Sequence, residues 1–155
     1  MLACLLLMLC AEPEFASVGV NYCGPAVPNS SGQSAEMSAF GSGRAGDPLR
    51  LVASGLPHNQ FAIFIVSPQP GYYHIPFSQG VICMDFNQTA RFNSPQQTAS
   101  TCTGGVISLM IDTNALPMAI PTAVMPGDRW YFQAWFRENH VLDNGFSDAI
   151  AISFH

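Results

Sequence analysis

Twelve prolines and thirteen glycines recur at short intervals along this chain of 155 residues, and they cut it into apolar runs too short for helices. The clear runs are PLRLVAS (48–54), QFAIFIVS (60–67), GVICMDF (80–86), GVISLMID (105–112), RWYFQAWFR (129–137) and FSDAIAISF (146–154). Weaker ones are SVGVNYC (17–23), AEMSAFG (35–41) and TARFN (89–93). Several alternate with period two. Phe146, Asp148, Ile150, Ile152 and Phe154 oppose Ser147, Ala149, Ala151 and Ser153, the pattern of a strand with two different faces. No stretch holds a helical period beyond a turn or two. Between the runs, VPNSSG (27–32), SGLPHN (54–59), SPQPG (67–71), MPGD (125–128) and LDNG (142–145) supply the residue types that turns demand. The pattern predicts an all-β fold: an antiparallel β-sandwich, immunoglobulin-like or jelly-roll-like, of about eight or nine strands. With no internal repeat or linker, residues 12–155 are read as a single domain.

Residues 1–11, MLACLLLMLCA, are apolar without interruption. They fall short of the roughly 20 apolar residues a membrane helix needs, so no stable membrane span is expected. Their length fits the apolar centre of a secretion signal. No Lys or Arg precedes the run, and Ala11 with Leu9 makes a loose cleavage pattern. The segment is therefore read as a signal-peptide remnant, with a truncated or misassigned start accounting for the missing basic residues. A buried N-terminal strand is the alternative, disfavoured by the AEPEF that follows. The expected location is secreted and extracellular.

The charge pattern agrees with export. Charged residues are 10% of the chain and the net charge is −5; there is no Lys, and the basic residues are Arg44, Arg50, Arg91, Arg129 and Arg137. A chain without a basic run has no electrostatic footprint for nucleic acid. Loss of residues 1–11 would leave Cys23, Cys83 and Cys102. In an oxidising compartment that means one disulfide and one free thiol, with the pairing open. No CxxC or HxxxH spacing points to a metal.

Aromatic residues concentrate in DRWYFQAWFRE (128–138). On a strand, Trp130, Phe132, Ala134 and Phe136 share one face, and Tyr131, Gln133, Trp135 and Arg137 the other. The first set is core. The second has the composition of a sugar-binding surface, but a covering loop or strand, with Tyr131 and Trp135 bonded at their polar ends, is the preferred reading. Strand QFAIFIVS, apolar on both faces, favours such a cover. The other cluster is Tyr72, Tyr73, His74 and Phe77 on a Pro-bounded loop. It reads equally as a binding loop of rigid aromatic area or as a flap over a sheet edge with Phe77 as its plug.

Catalysis finds little support. There is no GxSxG, HExxH or Gly-rich phosphate loop, and His58, His74, His140 and His155 are scattered. Asp112, Asp128, Glu138, Asp143 and Asp148 contain material for a glycosidase pair, but capping roles in turns are commoner. Calcium at Asp143, Asn144 and Asp148 is an incomplete ligand set, and no cofactor is expected. Sequons at Asn29 and Asn87 matter only in a glycosylating secretory pathway.

The stretches NYCGPAVPNSSGQSA, ASGLPHNQFAIFIVSPQPG, SQGVICM, ARFN, MPGDRWYFQAWFRE and GFSDAIAISF, taken together, resemble a module found at the C-terminal ends of large secreted bacterial proteins, notably planctomycete ones. The resemblance spans about residues 20–154. It implies a secreted all-β accessory module of undefined function with no catalytic residues to carry over. Cys23 and Cys83 match its cysteine positions and Cys102 does not, which implies a Cys23–Cys83 disulfide. The expected function is non-catalytic binding or adhesion to a glycan or cell-surface protein through Tyr72, Tyr73, His74, Tyr131 and Trp135. The alternatives are a structural or anchoring subunit and, more remotely, a small glycoside hydrolase.

Overall fold

The computed structural model describes residues 16–138 and 144–155. Among them there is no α-helix, and the strands follow the apolar runs. They are β1 (Val20–Tyr22), β2 (Glu36–Phe40), β3 (Leu49–Ser54), β4 (Phe61–Ser67), β5 (Pro70–His74), β6 (Ser78–Gln79), β7 (Val81–Met84), β8 (Ala90–Arg91), β9 (Ala99–Ser100), β10 (Ile107–Ile111), β11 (Arg129–Arg137) and β12 (Asn144–Ser153), with a 3₁₀ turn at Phe86–Gln88. The fold is all-β and sandwich-like, as expected. The strands outnumber the expected eight or nine by β5, β6 and β9, which no apolar run indicates; β6 and β9 have two residues each, too few to show a period. β5 lies in a segment read as a loop. Its Pro70 is tolerated because β5 pairs with β7 alone, in a separate two-stranded sheet.

Three layers result. The large sheet runs β1-β12-β11-β4-β8, with β6 added beside β12 and β9 beside β4. A second sheet runs β10-β3-β2, and the β5–β7 hairpin forms the third. Pairing is antiparallel except for the short β6–β12 contact. The main core lies between the first two sheets. Into it point Ala62, Phe64 and Val66 of β4, Trp130, Phe132, Ala134 and Phe136 of β11, and Ile150 and Ile152 of β12, against Met37, Leu49 and Leu51. The assignment of Trp130, Phe132 and Phe136 to the core face holds, and Phe132 is completely buried.

The other face of the large sheet is covered too. Ile63 and Ile65 of β4 and Phe146 of β12 pack with Ile82 and Met84 of the hairpin layer, and Ile75, Tyr131 and Trp135 flank them. Hence both faces of β4 are apolar. Gly71 lets the hairpin close: a Cβ there would sit 2.7 Å from the Met84 carbonyl.

One irregularity organises the interior of the large sheet. Between Gln133 and Trp135 the β11–β12 register slips. There the Ser147 hydroxyl accepts from the Ala134 N–H at 2.9 Å and donates to the Asp148 carbonyl at 2.6 Å. Such a bulge re-aims a side chain. The redirected Asp148 carboxylate accepts from the Met37 N–H at 2.6 Å and from Asn21 Nδ2 at 2.8 Å, tying β1 and β2 to β12. Burial pushes its carboxyl above the ordinary Asp value, against the pull of these two hydrogen bonds.

Candidate functional site

The hairpin layer is fastened by a disulfide, a buried amide and a phenol. Cys23 and Cys83 form a disulfide with Cα atoms 6.2 Å apart, linking the segment after β1 to β7. Such a bond persists in oxidising compartments. Gln133, fully buried, bonds both to the hairpin and to β12 of its own sheet. Its Oε1 accepts from the Cys83 N–H at 3.0 Å, and its Nε2 donates to the carbonyls of Val81 at 3.0 Å and Ser147 at 2.7 Å. The Tyr22 hydroxyl donates to the Cys83 carbonyl at 2.6 Å. Burial, with Tyr131 close by, pushes the Tyr22 phenol up, while Arg129 opposes this.

The five aromatic and imidazole residues expected to bind do not converge. Tyr131 is half-buried, edge-on to Tyr22 at 5.7 Å, with Arg129 5.8 Å from its ring centroid. Trp135 is half-buried, donates from Nε1 to Asn144 Oδ1 at 3.1 Å, and meets Phe61 edge-on at 6.1 Å. The second face of β11 is therefore a covered face, as the preferred reading had it, with Trp135 bonded at its polar end but Tyr131 held through its ring contacts instead. Tyr72, Tyr73 and His74 are exposed, and they sit on strand β5 rather than on an irregular loop. Tyr72 and His74 contact each other edge-on at 5.5 Å. Tyr73 pairs across the hairpin with Ile82. Phe77 does not plug an edge: it is 86% exposed, and Ile75 packs against the second cluster instead.

Two concavities border this layer. The smaller, of about 380 Å³, is lined by Tyr72, His74, Ser78, Gly80, Pro25 and Val27 among others. The larger, of about 590 Å³, opens between hairpin and sheet. Ile63, Ile65, Ile82, Trp135 and Phe146 line it, and Arg91 is the one charged side chain among its described lining residues. Tyr72 and His74 thus belong to one concavity and Trp135 to the other, with Tyr73 and Tyr131 lining neither. Sequence reasoning passed over Arg91 and the larger cleft. The available signal was QFAIFIVS, apolar on both faces, followed by ARFN with one arginine beside an apolar position.

The carboxylates weighed for catalysis serve backbone groups. Asp112 Oδ1 accepts from the Asn114 N–H at 2.9 Å, and Asp128 Oδ2 from the Met125 N–H at 2.9 Å. The buried Glu138 accepts from the Ser30 N–H at 3.2 Å. Of the residues weighed for calcium, Asp143 lies outside the described residues, as does His140. Asn144 Oδ1 is held by Ser78 Oγ at 2.7 Å and by Trp135, while Asp148 is turned toward β2. Among the described residues no three His, Cys, Asp or Glu side chains group as metal ligands. Cys102 is a free, exposed thiol. No protein-family model, curated protein or solved structure matches this chain.

Proposed function

We propose that this protein is a secreted, non-catalytic binding module that holds a glycan on its outer hairpin. The observation that carries the reading is the pair Tyr72 and His74, stacked edge-on and exposed at the mouth of a groove whose other walls include Ser78 and Gly80. A sugar offers an apolar ring face to an aromatic side chain, and hydroxyls to placed polar groups. With charged residues at 10% of the chain, affinity rests on aromatic area and hydrogen bonds rather than on a long-range field. The disulfide supports an oxidising location, and the apolar run at residues 1–11 supports export.

A second reading, a structural or anchoring subunit of an extracellular assembly, is favoured by Phe77, which stands 86% exposed beside the same hairpin. A glycan array followed by titration of the retained sugars tests the choice. Wild-type protein is expected to retain a glycan with little salt dependence. The double variant Tyr72→Ala, Tyr73→Ala should lose it while stability stays within about 0.5 kcal/mol, as for exposed substitutions. Retention unchanged in that variant removes the hairpin from the site. Absence of any glycan, with self-association lost on Phe77→Ser, moves the reading to the structural subunit.

A further inference from the structure

The larger cleft has a composition unlike the rest of the surface. Its described lining includes Ile63, Ile65, Ile82, Trp135 and Phe146, side chains that a solvent-facing sheet would not carry together. At about 590 Å³ it falls within the range of small-molecule sites, roughly 300–1,000 Å³. Arg91 is paired in register with Ile65 on the neighbouring strand, so the two side chains leave the sheet on the same face. Ala90, the residue before it, pairs with the core residue Val66 and packs against the main core, while also bordering the cleft. The alternation of β8 thus delivers one guanidinium to an apolar cleft, in a chain of net charge −5 with only five basic residues. Asn93 and Asn144 add amides to the lining. Asn144 Oδ1 is occupied by Trp135 and Ser78, which leaves its amide N–H₂ as the group to offer a ligand.

We infer that this cleft binds a small amphipathic anion: an apolar body lying over Ile63, Ile65, Ile82, Trp135 and Phe146, and a carboxylate or similar oxyanion held by Arg91. The guanidinium fork matches the two oxygens of such a head group. The apolar body accounts for most of the buried area and the head fixes orientation, the usual division of labour in small-molecule sites. The described lining contains no carboxylate to pair with a cationic head group. The site is separate from the Tyr72 groove, with which it shares Phe146 alone among the described lining residues, and the inference does not depend on the glycan reading.

Calorimetric titration with monomeric dodecanoate tests it, with dodecyltrimethylammonium as the same tail under the opposite charge and acetate as the head alone. Tryptophan fluorescence, with Trp135 in the cleft wall, is the second readout. Dodecanoate is expected to bind saturably at one per chain, at least about tenfold more tightly than the cationic amphiphile, since one charge-assisted pair separates them. Acetate should show no measurable binding. The exposed substitution Arg91→Gln should abolish the preference between the two heads, and Arg137→Gln, at the end of β11 and outside the cleft lining, should leave it unchanged. Equal affinity for both heads in the wild type, an unchanged preference in R91Q, or no saturable binding overturns the inference. So does association with phosphatidylglycerol vesicles without binding of the monomer, which would place recognition at a membrane surface.

Discussion

The two faces of β11 are closed by different means. Trp130, Phe132, Ala134 and Phe136 meet a three-stranded sheet and form a continuous apolar core. Tyr131, Gln133 and Trp135 meet a two-stranded hairpin, beneath which Gln133 is fully buried and the two aromatics half-buried. The first face is held by burial, which needs no particular partner. The second is held by a disulfide, a buried amide and a half-buried phenol, each with a specific partner. A layer fixed at a few points can leave space beside those points, and the larger cleft is that space. Tight packing and a ligand-sized cavity therefore coexist on one strand.

The largest test of this contrast is Phe132→Ala, which should cost about 3–5 kcal/mol in chemical denaturation, the range for truncating a buried aromatic. A loss below roughly 1 kcal/mol would mean that the core face does not dominate stability. Next is Cys23→Ser with Cys83→Ser, expected to cost about 2–4 kcal/mol. If fastening by points is right, hydrogen exchange in this variant should quicken first in β5 and β7 while β11 stays protected. Uniform quickening would make the hairpin part of a single cooperative core. Gln133→Ala should cost about 1–3 kcal/mol, because the Cys83 N–H and the Val81 and Ser147 carbonyls lose a partner.

How far the sequence anticipated these outcomes differs between the two faces. Period-two alternation in RWYFQAWFR separates the faces of β11 correctly, because each strand residue points opposite to its neighbour whatever lies beyond. The cover over the second face was readable only indirectly, from a β4 that is apolar on both sides. Its identity was not readable. PQPGYYHIP is bounded by turn residues at both ends, and β5 exists because Val81–Met84, a short way along the chain, folds back alongside it. The Cys23–Cys83 pair was reached through resemblance, since residue types alone allow other pairings. The cleft is not legible in the sequence, because its wall comes from β4, β7, β8, β11, β12 and the segment around Pro117, none of which carries a local motif.

The smallest expected effect concerns Asp148, whose carboxyl is raised by burial. A raised pKa means the folded state takes the proton more readily than the unfolded one. Its stabilising contribution is complete below the unfolded value, about 3.9, and is lost as pH rises through the folded one. Wild-type stability minus that of Asp148→Asn should therefore fall as pH rises above about 4. The hydrogen bonds from Met37 and Asn21 hold the effect down by favouring the carboxylate. A difference that stays flat, or grows with pH, would show that those bonds outweigh burial.

The disulfide also has a mechanical consequence. Its sequence separation is 60 residues, and the strands β2 to β6 lie inside the loop it closes. Tension applied along the backbone from before β1 to after β12 must pass from Cys23 directly to Cys83. Residues 24–82 are shielded from extension until that bond is reduced. Stretching the oxidised protein should then release roughly 200 Å less contour length than stretching the reduced one, at about 3.3–3.6 Å for each residue held back. Under pulling, the Tyr72 and His74 wall of the groove would lie within the shielded length, while its Phe146 and Ser147 wall would lie in the path of the force.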